Sequence, residues 1–204
     1  MRERTFESAA EAVAWALRFE AGIGLVAIVL GMLLGYSAVD SLQAATRTET
    51  ATDIFWGVVA TLPLIAILIV SDYWPVGPLR SLQKTMDEKV LQLFRDASWD
   101  QLALVALAAG LGEEMLFRGV LQVALTDWSG PWWAVSVTAI IFGLCHYISH
   151  VYFIFAALIG LYLGLLFIAT GNLLTPITTH ALYDFLALIY LLKWRHSTTL
   201  DVSA

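Results

Sequence analysis

The chain has 204 residues, 59% hydrophobic and 14% charged, with a mean hydropathy of +0.76 and a formal net charge of −6. Soluble domains carry about 25% charged residues, so this composition excludes a soluble globular protein and implies an integral membrane one. The acidic balance, without a basic stripe, argues against nucleic-acid binding, and the single cysteine, Cys145, excludes an internal disulfide and a Cys-rich metal site.

Residues 1–17 read as a short amphipathic helix. Phe6, Ala9, Ala10, Val13 and Leu17 share one face, which suits the membrane surface. Its charged start lacks a compact apolar core before a small-residue cleavage site, so no cleaved leader is expected. Residues 21–39 are uncharged and form the first span. Residues 40–53 are a polar loop, and 54–71 the second span, with Pro63 tolerated inside it. Two prolines and a glycine in 72–78 break the helix. A second interfacial helix follows over 79–95. There Leu79, Leu82, Met86, Val90 and Leu93 recur at helical spacing, opposite Arg80, Lys84, Lys89 and Arg95.

The third span, 99–125, is unusual. It contains Gly110-Leu-Gly-Glu-Glu-Met-Leu-Phe-Arg-Gly119, with two carboxylates and a guanidinium inside an otherwise apolar run. A tight turn at 127–131 precedes Trp132 and Trp133, which mark a membrane interface. The fourth span runs to about His146, the fifth covers 151–170 and the sixth 173–192. Lys193, Trp194, Arg195 and His196 then stop the chain at the interface.

Six spans with an inner N-terminus put Arg2, Arg4, Arg18, Arg80, Lys84, Lys89, Arg95, Lys193 and Arg195 inside, and only Arg47 outside. The expectation is an all-α polytopic membrane bundle of about six transmembrane helices plus two interfacial amphipathic helices, with both termini cytoplasmic. Its organisation divides as an N-terminal membrane region (1–98), a four-span core (99–193) and a polar tail (194–204).

An ionisable residue at membrane depth is a functional hypothesis by default. At about 100° per residue, Arg118 lies about 40° around the helix from Glu114 and about 140° from Glu113. Glu114 and Arg118 are therefore an i,i+4 ion pair, whereas Glu113 has no local cation and is free to act as a general base. His146 closes the fourth span, and His150 follows in the loop with a weaker claim. His180 and Asp184 are another i,i+4 pair, in which a carboxylate can orient an imidazole. Thr175, Thr178 and Thr179 nearby read as helix-packing groups. Depth is the difficulty. Glu113 and His180 sit about ten residues, or about 15 Å, from the outer ends of their spans, while His146 sits near the inner end of its own. The group could hold a divalent metal on Glu113, His146 and His180 or activate water directly. No His-Glu-x-x-His zinc motif is present.

Glu113-Glu114-x-x-x-Arg118, Phe142-x-x-x-His146 and His180-x-x-x-Asp184, on three successive polar-bearing spans, resemble the three motifs of the CPBP family. That family comprises type 2 CAAX prenyl proteases and bacteriocin-processing (Abi) proteins. The resemblance covers about 101–192, including Gly171-Asn-Leu-Leu-Thr-Pro-Ile177 ahead of the third motif. It implies an intramembrane endopeptidase whose catalytic residues are Glu113, Glu114, His146, His180 and Asp184. Glu113 would activate water with help from His146, and His180 and Asp184 would serve the oxyanion. Glu114 with Arg118 would hold the helix. The last position is often Asn in the family. Asp184, if ionised, cannot donate a hydrogen bond to an oxyanion, so it orients His180, is protonated or ligates a metal. The resemblance leaves zinc and a metal-free glutamate mechanism equally open. It implies membrane lipid and a membrane-anchored or lipid-modified protein or peptide as partners, and the short chain points to a bacterial plasma membrane as the setting. A small transporter or proton relay, or a non-catalytic scaffold, are the rival readings; the paired broken helices of transporter repeats are absent from the sequence.

Overall fold

The computed structural model describes residues 6, 8–37, 39, 42 and 47–195. The polar tail beyond Arg195, Arg2, Arg4 and the side chain of Arg47 lie outside the described residues. Within them the fold is helical throughout, with no strand, as the apolar periodicity predicts.

In chain order the elements are α1 (Ala9–Leu34), α2 (Arg47–Tyr73), α3 (Pro78–Thr85), a π turn (Met86–Val90) and α4 (Leu91–Phe94). Then come α5 (Trp99–Glu114), a π-helical segment (Met115–Gln122), α6 (Val123–Ser129), α7 (Pro131–Cys145), α8 (His150–Thr170) and α9 (Leu174–Ile189), closed by a π turn (Tyr190–Trp194). α1, Glu49–Tyr73 of α2, and α8 are each long and apolar enough to cross a membrane; α7 is a shorter apolar helix. The rod from α5 through α6 is long, but its charged trio lowers its apolar character. The architecture is that of an all-α membrane bundle.

Local chemistry sets the ends of these helices. Ser8 caps α1 by accepting from the Glu11 N–H at 3.2 Å, and Ser149 caps α8 through Tyr152 at the same distance. The Ser98 N–H donates to Gln101 Oε1 at 3.0 Å, half of a capping box at the start of α5. Between α6 and α7, Gly130 takes φ +83° and Pro131 starts the next helix. Only glycine adopts that conformation without strain, and proline at the first helical position gives up no hydrogen bond.

Two boundaries differ from the sequence expectation. Residues 9–17 are not a separate surface helix but the first turns of α1. Arg18, Phe19 and Glu20, the residues between the two expected segments, contain no helix breaker. The polar stretch from Arg47 to Asp53 is likewise helical, its Glu49 favourably placed in the first turn for the helix dipole.

Close backbone approach holds the bundle together. α7 packs on α8, α2 on α9, and α5 on both α9 and α1. Each interface is seated on glycine or threonine. A Cβ on Gly110 would lie 2.9 Å from Ala181 of α9, and one on Gly112 would lie 2.7 Å from the Glu20 carbonyl of α1. Thr175 and Thr179 of α9 donate to the carbonyls of Asp53 (3.1 Å) and Gly57 (3.0 Å) of α2. Without a hydrophobic drive between helices in lipid, small residues and interhelical hydroxyl bonds supply the association. At one end of the bundle Arg195 pairs with Asp72 at 3.1 Å and with Asp87, Tyr190 donates to Asp72 at 2.9 Å, and Lys193 donates to the Ala97 carbonyl at 3.2 Å. At the other end Tyr36 donates to Asp127 at 2.9 Å.

Candidate active site

The site is built where α5 gives way to the π segment. Glu113 and Glu114 are the last residues of α5, and Arg118 and Gln122 lie on the π turns that follow. Both face Gly160-x-x-x-Gly164 of α8. Arg118 Nη2 donates to the Gly160 carbonyl at 2.6 Å and Gln122 Nε2 to the Gly164 carbonyl at 3.0 Å. A Cβ on Gly164 would stand 2.8 Å from Gln122 Oε1 and 2.6 Å from Val135, so the glycine is what admits the glutamine. π segments recur at functional sites, and here one holds two long polar side chains against a single neighbour.

Glu114 is the hub of the buried network. Its Oε1 accepts from Arg118 Nη1 at 2.7 Å and from His180 Nδ1 at 2.8 Å, and the residue is 0% exposed. The expected Glu114–Arg118 pair is therefore present, with His180 of α9 as a third member. The second nitrogen of His180 faces Asp184 Oδ2 at 3.4 Å. The imidazole is thus held between two carboxylates.

Glu113 points the other way, toward His146. Its Oε2 lies 3.6 Å from His146 Nε2, is buried, and has no hydrogen-bond partner. His146 Nδ1 lies 2.8 Å from the Phe142 carbonyl. If Nδ1 donates there, the neutral ring turns the Nε2 lone pair toward the carboxylate. The Phe142 ring joins the two halves. It stacks on His146 at 4.4 Å between centroids, meets His180 edge-on at 6.0 Å, and carries the Arg118 guanidinium carbon 4.9 Å above its face.

All five residues expected to be catalytic, Glu113, Glu114, His146, His180 and Asp184, are thereby joined with Arg118 in one cluster. The depth difficulty is resolved by the length of α7. That helix folds back from Gly130 for only 15 residues, so its C-terminal end comes level with the glutamates partway along the α5–α6 rod. His150 stays apart, bonded to the Tyr147 hydroxyl at 2.9 Å on the exposed side.

Zinc would need about three or four donors converging at about 2.0–2.2 Å. Among the described residues no three His, Cys, Asp or Glu form such a group. Both nitrogens of His180 and Nδ1 of His146 are already taken, so Glu113, His146 and His180 as placed do not fit a metal ion.

Sequence reasoning missed two members. Phe142 was read only as a motif position. Glu20, on α1, has a buried Oε2 without a partner, and the charges that act on it are Glu113, His180, His146 and Asp184. Tyr152 of α8 and Tyr183 of α9 also lie within electrostatic reach of Asp184.

Residues 96–186 match the family described as type II CAAX prenyl endopeptidase Rce1-like. An uncharacterized protein of Bacillus subtilis, YpbD, is 34% identical over 96 residues, which are 46% of this chain and 47% of that protein. The chain thus spans about half the length of that relative. No solved structure matches. The matched segment, 96–186, contains all three motifs on which the resemblance rests.

Proposed function

We propose that this protein is an intramembrane endopeptidase that hydrolyses a peptide bond in a membrane-anchored or lipid-modified protein or peptide. The observation that carries the reading is the buried, unpartnered Oε2 of Glu113 facing His146 Nε2 at 3.6 Å. That gap is too long for a direct hydrogen bond. A small opening of the Glu113 side chain lets one water bridge the two acceptors, donating one hydrogen to each. Two bases on one water make it a nucleophile.

The water oxygen bonds to the carbonyl carbon as its proton passes to Glu113. The oxyanion forms on the side of His180, whose Nε2–H is steadied by Asp184 and whose Nδ1–H is anchored on Glu114. Collapse breaks the C–N bond, and Glu113 returns the proton to the leaving amine. In this scheme Glu114 and Arg118 are positioning residues that fix His180 and the π segment. The donor geometry supports a metal-free route, with Glu113 as base. The Lys and Arg asymmetry supports cytoplasmic termini in a cell membrane, and a substrate presented from the lipid. CAAX-type processing or bacteriocin maturation and immunity are the substrate classes that this family suggests.

The test compares peptide termini in membranes of cells expressing wild type and Glu113→Gln at equal abundance. Termini found only with wild type are expected, and they identify the substrate. Identical termini, with both proteins folded and inserted, would sink the reading.

A further inference from the structure

Glu20 stands outside the segment that carries the family motifs, on the helix that the sequence presents as a plain membrane span. Its position is fixed by a backbone contact. The Glu20 carbonyl occupies the space where a Cβ on Gly112 would be, 2.7 Å away, so α1 meets α5 one residue before Glu113. That contact sets Glu20 beside the cluster. Glu113 of α5, His146 at the end of α7, and His180 and Asp184 of α9 are the charged groups around it. Arg18, two residues earlier on the same helix, is exposed and cannot share its face.

The charges around the site do not balance. Four carboxylates are present: Glu20, Glu113, Glu114 and Asp184. Arg118 and the two imidazoles are the groups that can be cationic, and each is already opposite a carboxylate. Arg118 and His180 meet Glu114, His146 meets Glu113, and His180 also meets Asp184. Among the described residues Glu20 is the member of the four with no ion pair, and its Oε2, like those of Glu113 and Glu114, is buried with no hydrogen bond. A bare carboxylate in such surroundings is strongly unfavourable. A group that is incomplete in the free protein and lies beside the water-activating pair is placed to be completed by what binds there.

We propose that Glu20 is a specificity-determining residue of the site, binding a cationic side chain or ammonium group of the substrate peptide next to the scissile bond. This rests on the endopeptidase reading. It deepens that reading by naming the substrate chemistry: a peptide with a Lys, Arg or free amine beside the cleaved bond. A negative subsite rejects an acidic residue there as firmly as it accepts a basic one.

The same comparison of membrane termini, extended to Glu20→Gln and Glu20→Lys at matched abundance, tests it. The readout is a ratio within each sample: cleavages flanked by a basic residue over those flanked by a neutral one. The expected result is a fall of about tenfold or more with Glu20→Gln and a turn toward acidic flanks with Glu20→Lys. An unchanged ratio overturns the proposal and leaves the endopeptidase reading standing; it is the outcome if the carboxyl simply carries a proton. Loss of all cleavages alike with Glu20→Gln also overturns it, since the role is then general and not selective. Identical termini in wild type and Glu113→Gln would remove the endopeptidase reading, and this proposal with it.

Discussion

At the scale of single residues, two adjacent glutamates point opposite ways, and the helix angle separates them in the sequence alone. Glu114 is tied through Oε1 to Arg118 and His180, Glu113 faces away toward His146, and each keeps a buried Oε2 without a hydrogen bond. Glu113→Gln is therefore expected to lower peptide hydrolysis by about 10²-fold or more, while the melting temperature in detergent stays near that of wild type. Arg118→Met is expected to do the reverse. It strands Glu114 as a buried charge, at a cost of about 3–5 kcal/mol, and should appear as a lowered melting temperature and depleted membrane protein. Asp184→Asn is expected to keep substantial activity, because an amide can still accept from His180 Nε2; Asp184→Ala should lose more. Chelation is expected to leave the rate of the purified protein unchanged. A rate abolished by chelator and restored by zinc would overturn the metal-free route. Glu20 was not legible in the sequence because it fell at the seam between an expected surface helix and an expected span. A lone acid at such a seam reads as a solvated interface residue, and only the uninterrupted α1 carries it inward.

At the scale of elements, the fold depends on where side chains are missing. The α7–α8 contact rests on Gly143, Gly160 and Gly164, each of which a Cβ would bring to between 2.6 and 3.1 Å of a neighbour. Gly164→Ala is expected to push α8 off the π segment, break the Gln122 bond and destabilise by about 1–3 kcal/mol, read as a drop in detergent melting temperature. Gly112→Ala should separate α1 from α5 in the same way, with its loss concentrated in catalysis because the glutamates sit on that contact. The helices, the turn at Gly130-Pro131 and the amphipathic stretch over 79–95 were legible, since hydropathy, breakers and periodicity report them directly. The π segment was not. Its widened turns depend on Arg118 and Gln122 reaching the α8 carbonyls, and those are tertiary contacts.

At the scale of the whole molecule, the helices alternate in direction, and the polar ties fall at the ends. Arg195, Asp72, Asp87 and Tyr190 bind one end, and Tyr36 with Asp127 the other. If the termini are cytoplasmic, as proposed, a cysteine placed at Asp127 in a Cys145→Ser background should react with an impermeant thiol reagent from outside intact cells. One at Lys84 should react only after permeabilisation; the opposite pattern would invert the topology. The membrane class and the motif order were legible in the sequence. The meeting of the motifs was not, because it rests on unequal helix lengths.

That inequality reaches beyond the protein itself. The 15 residues of α7 rise about 22 Å, against a hydrocarbon core about 30 Å thick. If α7 lies across the membrane, lipid beside it must compress, or give way to headgroups and water, to meet the polar loop that starts at His146. A dent in the bilayer at that edge shortens the path that an extended peptide must cover without backbone partners. It would also carry water to a depth where the proposed hydrolysis would otherwise lack it. By stopping one helix early, the chain would make the solvent on that side part of that chemistry.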